Sequence, residues 1–207
     1  MTDPRIERGT RAMLELRRAR LGAGERRLGW KVGFGAPAAM QRLGTDRPLV
    51  GFLTDGGLIE DGATVALDGW TAPMLEAEIA VVVGEGLAPA IELADLHPPP
   101  DDVERILAGN IFHRRILLGP VSPPRDVVVR LLRDGTRIAS TTTPSALTGE
   151  LDDVVRLTAE LLEAHGERLL PGDVLITGSI FPPHPIAAGE RYEAQLAPLG
   201  SLSVSLA

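Results

Sequence analysis

Two glutamates lie one residue apart in a segment, residues 73–83, that has the pattern of a long strand. Because side chains alternate along a strand, Glu76 and Glu78 share one face at about 7 Å from each other. Apolar residues follow on both faces, which predicts a strand covered on both sides. Crowded carboxylates repel each other and resist burial, and a hard cation such as Mg²⁺ removes both problems. The segment therefore suggests part of a metal site; the alternative is an exposed strand end with two solvated glutamates.

Lys31 is the single lysine among the 21 Lys and Arg residues of the chain. A lysine kept in such an arginine-rich composition suggests a task that arginine cannot perform, because lysine can release its proton. Lys31 lies in a predicted strand over residues 30–34, where Trp30 and Val32 face one side and Lys31 the other. The flanking Gly29 and Gly33 indicate close backbone approach. We predict that Lys31 faces the interior of a site; the alternative is a surface lysine.

A third candidate is the sequence Thr177-Gly178-Ser179 at the end of a predicted buried strand, residues 174–177. Backbone N–H groups and small hydroxyls at a strand end can bind an anionic ligand. The alternative is an ordinary exit from a strand into a loop.

Short strands and a few helices are predicted to position these residues. Helical patterns cover residues 3–21, within an N-terminal segment of about 1–25, and residues 36–43, 101–108 and 151–165. Further strands are predicted at residues 50–53, 57–59, 64–67, 126–133, 137–143, 191–196 and 201–206, with a hairpin turn at Asp134-Gly135. The strands are too irregularly spaced for repeated βαβ units. The fold class predicted is α+β, mostly β, as a single domain over residues 1–207.

Composition excludes several classes of function. The chain is 44% hydrophobic, which is enough for a core, and its formal charge of −7 argues against a nucleic-acid partner. Without cysteine there is no disulfide, thiolate nucleophile or zinc–sulfur site. We find no signal-peptide pattern and no apolar run of membrane-spanning length. We therefore expect a cytoplasmic protein with no membrane partner.

Taken in order, these motifs resemble the fumarylacetoacetate hydrolase superfamily, nearest its branch of 2-oxopent-4-enoate hydratases and 4-oxalocrotonate decarboxylases. The matching segments are residues 29–33, 41–44, 74–80, 89–95, 108–110 and 171–179. Each motif is short, but six in the right order are hard to obtain by chance. The resemblance implies a mixed β-sheet roll with a few flanking helices.

The resemblance also implies a metal-dependent reaction. Glu76, Glu78 and Asp95 would hold Mg²⁺ or Mn²⁺, and a small-molecule 2-oxo acid substrate would chelate the metal through its carboxylate and keto oxygens. The metal would polarise the ketone and stabilise an enolate. Lys31 would bind the substrate carboxylate or move a proton, and His113 is a candidate acid or base.

Further implications concern substrate binding and assembly. Asn110, Thr177, Gly178 and Ser179 become candidate substrate-binding residues. Because the family commonly assembles as dimers or larger rings, a homo-oligomer is expected.

This sequence departs from the family pattern around the expected substrate. Leu96 and His97 stand where the pattern has Ser-Arg, Gly109 stands where it has Asp, and residues 111–115 replace small polar residues. The chain is also short for this branch, with a trimmed N-terminal region and no helical segment before Pro89.

Four functions are compatible with this pattern. A hydratase acting on a 2-hydroxydienoic acid comes first, ahead of a 2-oxo acid decarboxylase. An acylpyruvate-type C–C hydrolase would use His113 or His97 as the base that activates water. A shortened, non-catalytic homologue acting as a partner subunit belongs to another class.

Overall fold

A helix, α1 (Pro4–Gly22), opens the computed structural model, which describes residues 3–97 and 101–207. The side chain of Asp3 caps it by accepting a hydrogen bond from the backbone N–H of Arg5 at 2.9 Å, and Pro4 suits the first turn because its missing N–H would have no partner there. This helix agrees with the predicted N-terminal segment of about 1–25, whose residues 1 and 2 lie outside the described residues.

The remaining elements are mostly strands. The further helices in the described residues are α2 (Pro37–Leu43), α3 (Val103–Ala108) and α4 (Leu151–Glu163). The strands described are β1 (Arg27–Gly33), β2 (Leu49–Thr54), β3 (Leu58–Ile59), β4 (Thr64–Val65), β5 (Pro73–Val82), β6 (Gly86–Asp95), β7 (His113–Leu118), β8 (Val128–Arg133), β9 (Thr136–Thr141), β10 (Val174–Ile176), β11 (His184–Pro185), β12 (Arg191–Ala197) and β13 (Gly200–Leu206). Among the helices described, none combines the length and apolarity that a membrane crossing needs.

The larger sheet is mixed and curled, with the strand order β2-β1-β10-β5-β6-β7-β3 and with β11 paired to β5. β1 runs parallel to β10 and β3 parallel to β7, while the other pairs are antiparallel. At its centre, β5 and β6 form a long antiparallel hairpin that pairs Pro73 with Asp95 and Val82 with Gly86. The sequence predicted β5, whereas β6 and β7 were not predicted as strands.

A smaller sheet, ordered β4-β13-β12-β8-β9, covers one face of the β5–β6 hairpin. Leu75, Ala77 and Ile79 of β5 belong to the same buried cluster as Tyr192 and Val204 of the smaller sheet. The predicted hairpin at Asp134-Gly135 is confirmed as the turn between β8 and β9.

The other face of the hairpin forms the inside of the curled sheet. Ala80, Ala90 and Ile116 pack there with Ile176 of β10 and Leu53 of β2. Outside the curl, α1 and α4 pack against β1 and β2. β5 is therefore covered on both faces, as its alternation predicted, and the α+β, mostly β fold class is confirmed. The polar residues of interest lie at one end of this apolar inner face.

Candidate active site

Three glutamates converge at the end of the inner face of the β5–β6 hairpin. Glu76 and Glu78 project from β5, and Glu92 of β6 stands directly opposite Glu76 in the antiparallel register. Residues opposite each other in a ladder project to the same face, which brings the carboxylates together. Each offers an oxygen, and these three oxygens lie within 4.8 Å of one another. Glu78 and Glu92 are buried, while Glu76 is partly exposed and lines a cavity.

Asp95 is not part of this acidic cluster. It lies an odd number of residues from Glu92 along β6, so its side chain projects to the opposite face. There its Oδ1 accepts hydrogen bonds from the backbone N–H groups of Thr71 at 2.9 Å and Ala72 at 2.8 Å. Its Oδ2 accepts one from Arg114 at 3.0 Å. The structure does not bring Asp95, which the family resemblance implied as the third ligand, to Glu76 and Glu78. Glu92 lies beside them instead, and the alternation along β6 is the signal that could have found it.

Lys31 faces the acidic cluster from β1, in the orientation that its strand predicted. Its Nζ donates hydrogen bonds to Oε1 of Glu92 and to the backbone carbonyl of Ile111, the latter at 3.2 Å. The side chain is almost completely buried, yet it forms part of the cavity wall. A buried ammonium next to a buried carboxylate compensates the cost of removing each from water.

His113 lies behind Glu92 rather than in the cavity wall. It begins β7, and its Nδ1 is 2.7 Å from Oε1 of Glu92. Its Nε2 has no hydrogen-bond partner in the described residues and is packed so closely on Gly57 that a Cβ there would lie 2.8 Å away. His113 therefore reaches the site through Glu92, and the structure does not bring it to the cavity as the sequence suggested.

Burial and neighbouring charges separate the pKa values of these groups. Burial, together with the charge of Glu92, raises the pKa of Glu76 to about 7 and raises the pKa of Glu78 well above its ordinary value. Burial opposes ionisation of Glu92 as well, but the charge of Lys31 and the hydrogen bond with His113 outweigh it and lower the pKa of Glu92. Burial lowers the pKa of His113. The neutral imidazole then donates from Nδ1, because a carboxylate can only accept.

The acidic cluster fits a divalent cation. Two of its buried oxygens, Oε1 of Glu78 and Oε2 of Glu92, have no hydrogen-bond partner in the described residues, and such atoms in a buried site call for a ligand. If all three carboxylates are ionised, as ligation of a cation requires, the ammonium of Lys31 compensates one negative charge and leaves two for the cation. An all-oxygen donor set of this charge suits Mg²⁺ or Mn²⁺.

Asn110 belongs to a strained turn that supports the site. Asn110, Ile111 and Phe112 have φ values of 55°, 51° and 61°, a left-handed conformation that is costly for residues other than glycine. The side chain of Asn110 accepts a hydrogen bond from the backbone N–H of Phe52 at 2.8 Å and donates one to its carbonyl at 3.0 Å. With both ends engaged on β2, Asn110 is a clamp for the turn, and the structure does not place it against the substrate cavity.

Two glycines allow this turn to pack closely against the sheet. A Cβ on Gly33 would lie 2.8 Å from Cγ2 of Ile111, and a Cβ on Gly51 would lie 2.7 Å from Oδ1 of Asn110. Larger residues at either position would push the turn away. The glycines therefore allow the carbonyl of Ile111 to reach Lys31.

The segment Thr177-Gly178-Ser179, which the sequence suggested as a substrate-binding site, lies in the cavity wall directly after β10. The N–H of Gly178 donates a hydrogen bond to Oε2 of Glu78 at 2.8 Å. The hydroxyls of Thr177 and Ser179 donate to backbone carbonyls at 2.9 and 2.6 Å, so their oxygens remain available as acceptors. This segment orients one carboxylate of the acidic cluster and presents two hydroxyl oxygens to the cavity.

A cavity of about 540 Å³ leads from the acidic cluster to the surface. Its inner end holds Lys31, Glu76 and Thr177. Most of the other wall residues are apolar, among them Phe34, Ala38, Ala39, Leu96, Ile111, Phe112, Leu147, Phe181, Pro182 and Pro183. These wall residues, which come from loops and α2, were not identified from the sequence as substrate contacts.

Comparison with known proteins finds enzymes that are similar to this chain in sequence and in fold. No protein-family model matches the chain. The 2-hydroxyhexa-2,4-dienoate hydratase of Comamonas testosteroni is 27% identical over 225 residues, which cover 96% of this chain and 85% of that protein. A 4-oxalocrotonate decarboxylase of Pseudomonas putida is 28% identical over 213 residues, covering 91% and 81%.

A solved structure is similar over almost the same extent. It is the 4-oxalocrotonate decarboxylase from Pseudomonas putida G7 complexed with magnesium and adipate, with a TM-score of 0.86 and 25% identity, covering 94% of this chain and 83% of that one. The predicted resemblance to the fumarylacetoacetate hydrolase superfamily, in its hydratase and decarboxylase branch, is confirmed.

Proposed function

We propose that this chain is a divalent-metal-dependent lyase that acts on a 2-oxo or 2-hydroxydienoic acid. Its reaction is the addition of water to the dienoate. The observation that carries the proposal is the acidic cluster of Glu76, Glu78 and Glu92, with unpartnered buried oxygens, beside Lys31 at the inner end of a cavity. The similarity to hydratases and decarboxylases of such acids supports the same class of substrate.

Glu76, Glu78 and Glu92 are the residues that would hold Mg²⁺ or Mn²⁺. When bound, the cation supplies Lewis acidity to the 2-oxo group and stabilises the negative charge that develops there. Gly178 holds one of these carboxylates by its backbone N–H, and His113 holds another by Nδ1. Both are positioning residues, because each orients a carboxylate of the acidic cluster and offers no side-chain group to the substrate.

Lys31 is the residue placed to touch the substrate. An ammonium has three N–H donors. One points to Glu92 and one to the carbonyl of Ile111, so the third is available to the cavity. There it can bind the substrate carboxylate, or transfer a proton during the keto–enol change. The oxygens of Thr177 and Ser179 complete the polar inner end as acceptors.

Decarboxylation is the second candidate reaction. It is favoured by the close match in fold to the solved decarboxylase. Both reactions develop negative charge on a 2-oxo acid, so the inner end of the cavity serves either one. The shape and charge of the outer cavity must then decide which substrate enters.

Product analysis separates the candidate functions. The Mg²⁺-loaded protein is incubated in turn with 2-hydroxypenta-2,4-dienoate, 4-oxalocrotonate and an acylpyruvate. The proposal expects loss of the dienoate with formation of a 4-hydroxy-2-oxo acid, abolished by a chelator and restored by Mg²⁺. Release of CO₂ from 4-oxalocrotonate alone would assign the second candidate, and cleavage of the acylpyruvate alone would assign a C–C hydrolase. Turnover of none of the three, with no binding of oxalate in the presence of Mg²⁺, would favour the non-catalytic homologue.

The expected homo-oligomer and the cytoplasmic location stay predictions. Light scattering coupled to size-exclusion chromatography would test the first, and fractionation of the producing cell would test the second.

A further inference from the structure

Arg42 stands at the mouth of the cavity. It lies in the last turn of α2 and is exposed, whereas Lys31 at the inner end is buried. Ala36, Ala38 and Ala39 line the same cavity before it. A helix rises 1.5 Å per residue, so the wall from Ala36 to Arg42 extends about 9 Å. The cavity therefore has a polar inner end, an apolar middle and a guanidinium at its opening.

The guanidinium of Arg42 is held against an aromatic wall. It lies 5.9 Å from the centre of the Phe34 ring, and that ring lies 6.4 Å from the ring of Phe112. Phe34 has a φ of 57°, a strained value of the kind that persists where the surroundings impose it, often at functional sites. A cation resting on a ring face is positioned without losing its N–H donors.

Those donors have no anionic partner in the described part of the chain. Arg47, five residues later, pairs with Asp46 at 3.0 Å, whereas Arg42 has no ion pair among the described residues and is held by Phe34 alone. The other charges in the cavity wall are engaged, since Lys31 pairs with Glu92 and Glu76 belongs to the acidic cluster. Arg42 thus offers a planar fork suited to bidentate binding of a carboxylate.

We propose that Arg42 determines substrate specificity by binding a second carboxylate at the far end of an apolar chain. The inference rests on the proposed function, because the first carboxylate and the 2-oxo group must lie at the inner end. The substrate class is then an extended 2-oxo or 2-hydroxydienoic diacid, whose apolar carbons lie against the walls of the cavity.

If Arg42 had a purely structural role, its removal would change stability rather than ligand preference. A cation in the last turn of a helix interacts favourably with the helix dipole. Removal of such a cation lowers stability but does not change the preference between two ligands. Ligand preference is therefore the readout that separates the two roles.

The test measures binding of matched pairs of 2-oxo acids by titration calorimetry in the presence of Mg²⁺. The pairs are 2-oxoadipate with 2-oxohexanoate, and the same comparison at seven and eight carbons, so that only the distal carboxylate differs. The unmodified protein should bind the diacid about tenfold more tightly at the chain length that reaches Arg42. R42L should lose this preference while its affinity for the monoacid stays unchanged, and R42K should keep part of it. R47L, which removes a nearby charge outside the cavity wall, should keep all of it.

Each other outcome overturns the inference. Equal binding of diacid and monoacid at every length, or a preference that survives in R42L, would overturn it while leaving the proposed function intact. A preference lost equally in R47L would assign the effect to general charge. Binding of neither 2-oxo acid, with oxalate also unbound, would overturn the proposed function and this inference with it.

Discussion

Glu92 and Asp95 lie three residues apart on β6, and both are almost completely buried. They differ in how many of their carboxylate oxygens have hydrogen-bond partners. Asp95 receives hydrogen bonds on both oxygens, from two backbone N–H groups and Arg114. Glu92 leaves Oε2 without a partner in the described residues and faces two further glutamates. A carboxylate that the fold satisfies is structural. One that the fold leaves unsatisfied beside other carboxylates is available to a cation.

Asp95 and Glu78 also differ in the direction in which the protein shifts their pKa values. Burial works against ionisation of Asp95, but the hydrogen bonds from Ala72, Arg114 and Thr71 outweigh it and lower its pKa. At Glu78, burial and the charges of Glu92 and Glu76 act together and raise the pKa well above its ordinary value. The protein therefore stabilises one negative charge by itself and leaves another to be stabilised by a bound cation.

The largest effect should come from E78Q. The amide keeps the hydrogen bond from Gly178 but removes a charged ligand, so affinity for Mn²⁺ or Mg²⁺ should fall more than the 10- to 100-fold that loss of an outer partner usually costs. Stability without metal should be retained or increased, because burial and the neighbouring carboxylates oppose the ionisation of Glu78 and raise its pKa. Titration calorimetry and urea unfolding measure the two quantities. Unchanged metal affinity would remove Glu78 from the proposed ligand set.

K31M should separate chemistry from metal binding. Loss of the ammonium removes the group placed to bind the substrate carboxylate or move a proton, so turnover should fall by about a hundredfold or more. Metal affinity should be retained, because the acidic cluster becomes more negative without Lys31. Steady-state kinetics and metal titration on the same preparation check both. Near-normal turnover in K31M would contradict the role given to Lys31.

D95N should give the reverse of E78Q. Loss of the charged acceptor for Arg114 should lower the free energy of unfolding by on the order of 2 kcal/mol, with metal affinity nearly unchanged. Urea unfolding and calorimetry are again the measurements. Loss of metal binding without loss of stability in D95N would mean that Asp95 is the ligand and Glu92 is not.

The last prediction concerns the dependence of stability on pH. With the pKa of Glu76 at about 7 in the folded protein against a usual 4.5, the folded state binds more protons than the unfolded chain between these values. The metal-free protein should therefore lose stability as pH rises from about 5 to about 8. Saturating Mg²⁺ should remove or reverse this slope. Melting temperatures measured across that range, with and without Mg²⁺, test it; metal-free stability that rises with pH would contradict it.

Much of the site was predictable because strands impose a period of two. The alternation in residues 73–83 placed Glu76 and Glu78 on one face, and the alternation around Lys31 turned that side chain to the same interior. The motif after β10 was also found, although its contact with Glu78 was not.

The remainder depended on contacts that sequence patterns do not encode. β6 contains Pro89 and follows a glycine-rich turn, and it was not predicted as a strand. The third metal ligand was assigned to Asp95 from the family resemblance, whereas the register of β6 places Glu92 beside Glu76. The left-handed turn at Asn110 is held by hydrogen bonds to Phe52 and accommodated by two glycines distant in sequence, which no local pattern reveals. Asn110 was assigned to substrate binding from the family resemblance, whereas its side chain is hydrogen-bonded to the backbone of Phe52.

The most direct test of the proposed metal site is a crystal structure obtained with Mn²⁺ and oxalate, using anomalous scattering to locate the metal. The anomalous peak should lie between Glu76, Glu78 and Glu92, with oxalate on its cavity side near Lys31. A peak at Asp95, or no peak in this acidic cluster at saturating Mn²⁺, would contradict it.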